Sequence, residues 1–127
     1  MTRNRLPDYL GHMLDAARQA CVYVEGMDKI DFLGDRRTQQ AVIMNLIILG
    51  EAAAKLLEGY SDFLGRYPEV PWVSMKGMRN RIAHGYFALD LDVVWETTRT
   101  NLPRLLDQLP PVCEAAVAQA EQFDADR

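Results

Sequence analysis

The stretch AVIMNLIILGEAAAKLLEG, residues 41–59, decides the fold. It shows no alternation of apolar and polar residues at a period of two, so it reads as helix and not as strand. Upstream, Asp35 is placed to cap it, and Gly59 to stop it, which predicts a helix from about Asp35 to Leu57. Its middle is unusual. At about 100° per residue, the apolar side chains from Ala41 to Leu49 point in every direction around the axis. A helix that is apolar all round must be covered all round. A single small bundle leaves one face in water, so a partner chain over that face, a homodimer, is expected ahead of a monomer with a central helix. The run is interrupted by Asn45 and is too short to span a bilayer, so no membrane is expected.

Outward from this helix, Leu6, Leu10, Met13, Ala17, Ala20 and Val24 recur every three or four residues and mark a first amphipathic helix, ended by Gly26. A loop with Phe32 and Gly34 follows. Downstream, Tyr60 to Val73 reads as a loop with turn residues Ser61, Asp62, Gly65 and Pro68. Pro71 suits the first turn of a third helix, which runs to about Gly85. A fourth begins near Asp90 or Asp92, with Leu91, Val94, Trp95, Thr98 and Leu102 on one side, and Pro103 should kink or break it. Pro110 and Pro111 then open a last helix from about Val112 to Phe123, with residues 124–127 a frayed acidic tail. Trp72 and Trp95 are expected to anchor packing. The sequence predicts an all-α bundle of about five helices with no sheet, one domain over residues 1–127.

With 127 residues, 49% of them hydrophobic and 25% charged, the chain suits one soluble domain. The basic start, Met1 to Arg5, is not followed by an apolar leader. Cys21 and Cys113 form no metal or disulfide pattern and read as small buried hydrophobes, which suits a reducing cytoplasm. A net charge of −4 argues against a protein that coats nucleic acid with a broad positive field. A compact cluster drawn from Arg36, Arg37, Lys76, Arg79 and Arg81 could still grip a phosphate. His12 lies near Asp8 and Asp15, but two histidines in the whole chain do not make a zinc set, so neither metal nor cofactor is expected. No Gly-rich phosphate loop or nucleophilic serine motif is found.

The third helix carries the residues suited to chemistry. Met75, Met78 and Ile82 form its apolar face, with Arg79 at the edge, where its stem can pack and its head reach out. Asn80 and His84 point away from that face, one turn apart, so the amide could orient the imidazole. Tyr86 falls on the core side if the helix continues, and a break at Gly85 would free its ring. Arg79 and His84 lie about 140° apart around the axis, so one helix does not present them together. The reach of arginine, or a second copy of the helix across a dimer axis, would bring both to one phosphate. Glu51 and Lys55 read as a surface (i, i+4) pair, or else Glu51 faces the signature helix and supports it.

GMRNRIAHGYF, Gly77 to Phe87, resembles the signature of the HEPN superfamily: an arginine, four residues, a histidine, one residue and a tyrosine. Arg79, His84 and Tyr86 hold those positions, and Asn80 matches the polar residue that commonly follows the arginine. The flanks are similar to the HepT family: ILGEAAAKL from Ile48, VPW from Val70 and LDLDVVW from Leu89. The likeness covers roughly Arg5 to Leu109. It implies a HEPN-type bundle and a metal-independent endoribonuclease toxin. It also implies a minimal nucleotidyltransferase antitoxin that blocks the toxin by transferring AMP to Tyr86.

In that reading, RNA is cut by its own 2′-OH, a reaction that needs proton transfer and stabilisation of a crowded phosphate. His84 is the candidate general acid/base, since an imidazole changes charge near neutrality. Arg79 would neutralise the developing charge with its fork of donors. Asn80 would orient the imidazole or bind a phosphate oxygen, and Tyr86 would position substrate or stack on a base. Arg36, Arg37, Lys76 and Arg81 are weaker RNA-binding candidates. The alternative is a non-catalytic HEPN nucleotide-binding or regulatory subunit that only binds a nucleotidyltransferase. The intact Arg79, His84 and Tyr86 favour the enzyme, and the acidic net charge favours the binder.

Overall fold

The computed structural model describes residues 4–126, and among them only helices, turns and loops occur. In chain order the helices are α1 Leu6–Tyr23, α2 Lys29–Leu33, α3 Arg36–Gly59, α4 Ser61–Leu64, α5 Trp72–His84, α6 Leu91–Glu96 and α7 Leu102–Ala125. A 3₁₀ turn, Tyr86–Ala88, follows α5, and a π turn, Thr97–Asn101, joins α6 to α7. The predicted all-α bundle is observed.

The six residues of the α1 stripe, Leu6 to Val24, are all buried. They pack α1 against α3 and against α7. After Tyr23 the chain turns through Gly26, whose φ of +76° lies in the left-handed region that glycine enters without strain. The expected loop around Phe32 is instead the five-residue helix α2. It starts with a capping box: Asp31 N–H donates to Asp28 Oδ1 at 2.8 Å and Asp28 N–H to Asp31 Oδ2 at 3.2 Å. Phe32 is fully buried, its ring 5.4 Å from that of Trp95.

Asp35 caps α3 as expected, accepting from Thr38 N–H at 3.1 Å and from Thr38 Oγ1 at 2.8 Å. By length and composition α3 could cross a membrane, which the broken apolar run did not suggest. Here it is packed between α1 and α5, with Val42, Ile43, Leu46, Leu49, Ala53 and Leu56 buried, as a core helix is. Asn45, the polar residue inside the run, donates its Nδ2 to Ala41 O at 2.9 Å. Within one chain α1 and α5 cover part of α3: 44% of its most apolar stretch is buried, and Met44 (56% exposed) and Ile48 (41%) lie on the open side.

The loop after α3 contains a further turn of helix, α4, which buries Phe63 and Leu64. Pro71 sits one residue before α5, at its N-cap. Trp72 and Trp95 are both buried, and Trp72 Nε1 donates to Tyr67 O at 3.1 Å.

The largest departure concerns the prolines. The expected break at Pro103 takes the form of the π turn that precedes it, but the Pro110–Pro111 pair opens no new helix, and α7 runs through both. Pro103 lies in the first turn after the π turn, where a missing N–H costs little and the wide turn makes room for the ring. Beyond it, Leu105, Leu109, Val112 and Ala116 are buried at intervals of four, three and four on the face that meets α1, and this burial holds the helix together across Pro110 and Pro111. Asp124 and Ala125 of the expected frayed tail belong to α7, and Arg127 lies outside the described residues, as do the first three residues of the basic start. Cys21 and Cys113 are half-buried, and burial raises both thiols above the usual cysteine range.

The bonds from Thr38 hold the Asp35 carboxyl below the ordinary carboxylate range. A carboxylate depressed on folding stabilises at neutral pH and loses that contribution as pH falls through its folded-state value. Asp35→Ala should therefore lower the melting temperature at pH 7, and the gap from wild type should close in acid. An equal gap at pH 7 and pH 2.5 would count against the cap.

Candidate active site

The site is built where α5 crosses α3. Trp72, Met75 and Ile82 of α5 are buried and Met78 packs partly against the core, as the apolar face requires. Arg79 sits at the edge of that face with its side chain 23% exposed. Its stem lies on Gly50 of α3: a Cβ placed on Gly50 would come within 2.7 Å of Met75 O and would overlap the Cβ of Arg79. The glycine therefore sets how closely the two helices approach.

One residue further along α3, Glu51 Oε2 receives Arg79 Nη1 at 2.8 Å. Arg79 Nε and Nη2 both donate to Asn80 Oδ1, at 3.1 and 2.7 Å. Those three bonds fix the plane of the guanidinium and leave part of its donor set unused. Of the two sequence readings of Glu51, the one that faces the signature helix holds, and no ion pair with Lys55 is formed among the described residues. Asn80 departs from its expected role as an imidazole partner. Its carbonyl oxygen is taken by the neighbouring arginine, and no hydrogen bond joins it to His84.

His84 is the last residue of α5 and is exposed. Gly85 breaks the helix there, its N–H bonded to Arg81 O at 3.1 Å, and the chain enters the 3₁₀ turn. Tyr86 is thereby released from the core side and exposed, its ring 5.8 Å from that of Phe87 and edge to face with it. No hydrogen bond joins Arg79 to His84 in the single chain.

The five basic residues do not gather into one cluster. Arg36 lines a cavity with Tyr86 and Phe87, and Arg37 is exposed one residue on. Lys76 and Arg79 line a groove of about 400 Å³ with Glu51, Lys55 and Glu58. Arg81 lies on another side, its Nη2 3.9 Å from Met78 Sδ.

Over residues 13–112 the chain matches the HepT-like ribonuclease family. It belongs to that family. A protein of Thermococcus cleftensis, provisionally named ribonuclease HepT, is 37% identical over 98 residues, which cover 77% of this chain and 86% of the relative. One of Methanocaldococcus jannaschii, provisionally named an RNase, is 29% identical over 112 residues, 88% of this chain and 90% of the relative. Another, from Caldanaerobacter subterraneus and likewise provisionally named an RNase, is 30% identical over 106 residues, 84% and 92% of the two chains. No solved structure matches. The HepT resemblance read from the signature and its flanks is thus confirmed.

What the HepT reading alone missed is Gly50, whose signal was a glycine inside an otherwise apolar helix. A methyl group there meets backbone and a side-chain stem, neither of which can swing aside. Gly50→Ala should cost about 1–3 kcal/mol in denaturant unfolding by overpacking. Unchanged stability would mean that the α3–α5 crossing is looser than described.

Proposed function

We propose that the protein is a metal-independent endoribonuclease toxin acting through Arg79 and His84, and that it works as a homodimer in the cytoplasm. The observation that carries the reading is the signature itself on α5: Arg79 held in a fixed plane by Glu51 and Asn80, and His84 exposed at the helix end. In the reaction, the 2′-oxygen attacks phosphorus as its proton passes to an imidazole. The bond from phosphorus to the 5′-oxygen breaks, and that oxygen takes up a proton. The products are a 2′,3′-cyclic phosphate and a 5′-OH end. Arg79 offers its unused donors to the phosphate oxygens as charge builds, the type of interaction that carries most in such sites.

The uncovered Met44 and Ile48 at the middle of α3 support the dimer, as does the lack of any bond between Arg79 and His84 within one chain. A composite site would draw on both protomers. Sedimentation at micromolar concentration should give twice the monomer mass, and a clean monomer would remove the composite site. Family membership supports a second partner, a minimal nucleotidyltransferase antitoxin that transfers AMP to Tyr86, a residue exposed on the 3₁₀ turn. Protein co-expressed with its cognate transferase should gain mass in AMP units at Tyr86, and equal modification of Tyr86→Phe would refute the assignment.

The chemistry itself is tested with unmodified protein and a pair of oligonucleotides, one all-RNA and one carrying a single 2′-deoxy block at the cut site. His84→Ala should lose on the order of 10²-fold or more in cleavage while remaining folded. Arg79→Lys keeps the charge, loses the fork and should also be impaired. EDTA should leave the rate unchanged. Cutting at the blocked position, or undiminished cutting by His84→Ala, would overturn the mechanism. RNA bound but never cut by the wild type would favour the regulatory subunit, the reading to which the net charge of −4 points.

A further inference from the structure

Phe87 is as exposed as in an extended chain (103%), although its backbone is held firmly. The 3₁₀ turn that carries it is closed by Ala88 N–H to Gly85 O at 3.0 Å and Leu89 N–H to Tyr86 O at 3.2 Å, and the ring is braced edge to face by Tyr86. Beside the two rings lies a cavity of about 440 Å³. Its far wall is the first two turns of α3, which contribute Arg36, Gln39 and Gln40. Gln39 spends its Nε2 on Phe32 O and Leu33 O, both at 3.0 Å, so its Oε1 is left as an acceptor. The Gln40 amide and the Arg36 guanidinium make no hydrogen bond or ion pair among the described residues. No carboxylate lines the cavity, although the chain has 18 acidic residues against 14 lysines and arginines.

We propose that this cavity is a nucleobase subsite, in which an unpaired base of single-stranded RNA stacks on Phe87, with Gln40 on the base edge and Arg36 on the adjoining phosphate. This rests on the ribonuclease reading above and names where its substrate is held. Three features fit a base. An aromatic face beside the apolar side chains of Ile43, Leu89 and Leu91, with the Gln40 amide and the Arg36 guanidinium at hand, matches the faces and edge of a base and its phosphate. The cavity volume falls in the range of small-ligand pockets, about 300–1,000 Å³. Its aromatic wall also begins two residues after His84, so one short segment of chain carries both the proposed acid/base and the stacking ring. Single strands supply such bases because theirs can leave the stack, which duplex bases do not do freely.

The test is abasic scanning of a short single-stranded oligoribonucleotide, with the base removed at each position near the cut in turn. At one position the wild type should lose about 5- to 150-fold in cleavage, the fold-change equivalent of one base–aromatic stack. Phe87→Ala should cut the intact oligonucleotide more slowly by a similar factor and be indifferent to base removal at that position. Phe87→Trp should restore both the rate and the discrimination. Binding of the 2′-O-methyl version, which cannot be cut by 2′-OH attack, is measured alongside. If the wild type cuts nothing, yet binds this probe and discriminates the abasic form through Phe87, the subsite stands and the ribonuclease reading falls. If the wild type cuts or binds every abasic probe as well as the intact one, or Phe87→Ala matches the wild type, the subsite falls alone. A dimer that becomes a monomer on Phe87→Ala would assign the ring to a protein interface and also overturn the proposal.

Discussion

The absence of a side chain at Gly50 is the constraint on which the site depends. Two helices that cross with ordinary side chains between them stand about 8–10 Å apart. Here the stem of Arg79 lies on bare α3 backbone, and a single added carbon would collide with α5. Because the helices are this close, Glu51 reaches the guanidinium while remaining half exposed. A partly exposed ion pair of this kind adds little to stability. Its effect is directional: with Asn80 it selects one plane for the arginine out of the many its long side chain can adopt.

The three parts of the site sit on different kinds of backbone. Arg79 and Asn80 are mid-helix and packed, His84 is at a helix end, and Tyr86 and Phe87 ride on a tight turn. Charge is arranged with equal economy. On the proposed function, a phosphate at Arg79 would meet a cation already shared with a carboxylate, in a chain of net charge −4. Long-range attraction would then contribute little, and recognition would fall to short-range contacts.

Much of this was legible in the sequence, and the exceptions have separate causes. The α1 stripe, the Asp35 cap, the end of α5 at Gly85 and the release of Tyr86 all follow from local rules that tertiary contacts did not contest. α2 went unread because five residues are too short to display a helical period. The Asn80 contact was overlooked because adjacent residues on a helix do not face one another, a rule that the flexible arginine side chain evades by folding back. The fate of Glu51 depended on which of two cations came closer, and only the α3–α5 crossing settles that. At Pro110 and Pro111 the local rule was outweighed by burial on the Leu105–Ala116 face of α7, while Pro103 sits in the first turn of α7, directly after the π turn.

The π turn between α6 and α7 works as a phase adjuster. Val94, Thr98 and Leu102 are buried at two successive intervals of four, and on a regular helix each such step drifts by about 40°. The wider turn absorbs the drift, and the hydroxyls of Thr97 and Thr98 bond back to Val93 O at 2.8 Å and Trp95 O at 2.7 Å. The number of residues between Trp95 and Leu105 is therefore fixed in a way that the length of a surface loop is not. Loss of one residue would turn the rest of α7 by about 100°, carrying Leu105, Leu109 and Val112 off α1 together. Among related chains, insertions and deletions should accordingly be tolerated around Arg66 to Glu69 and purged from Thr97 to Asn101, even though both segments are largely exposed.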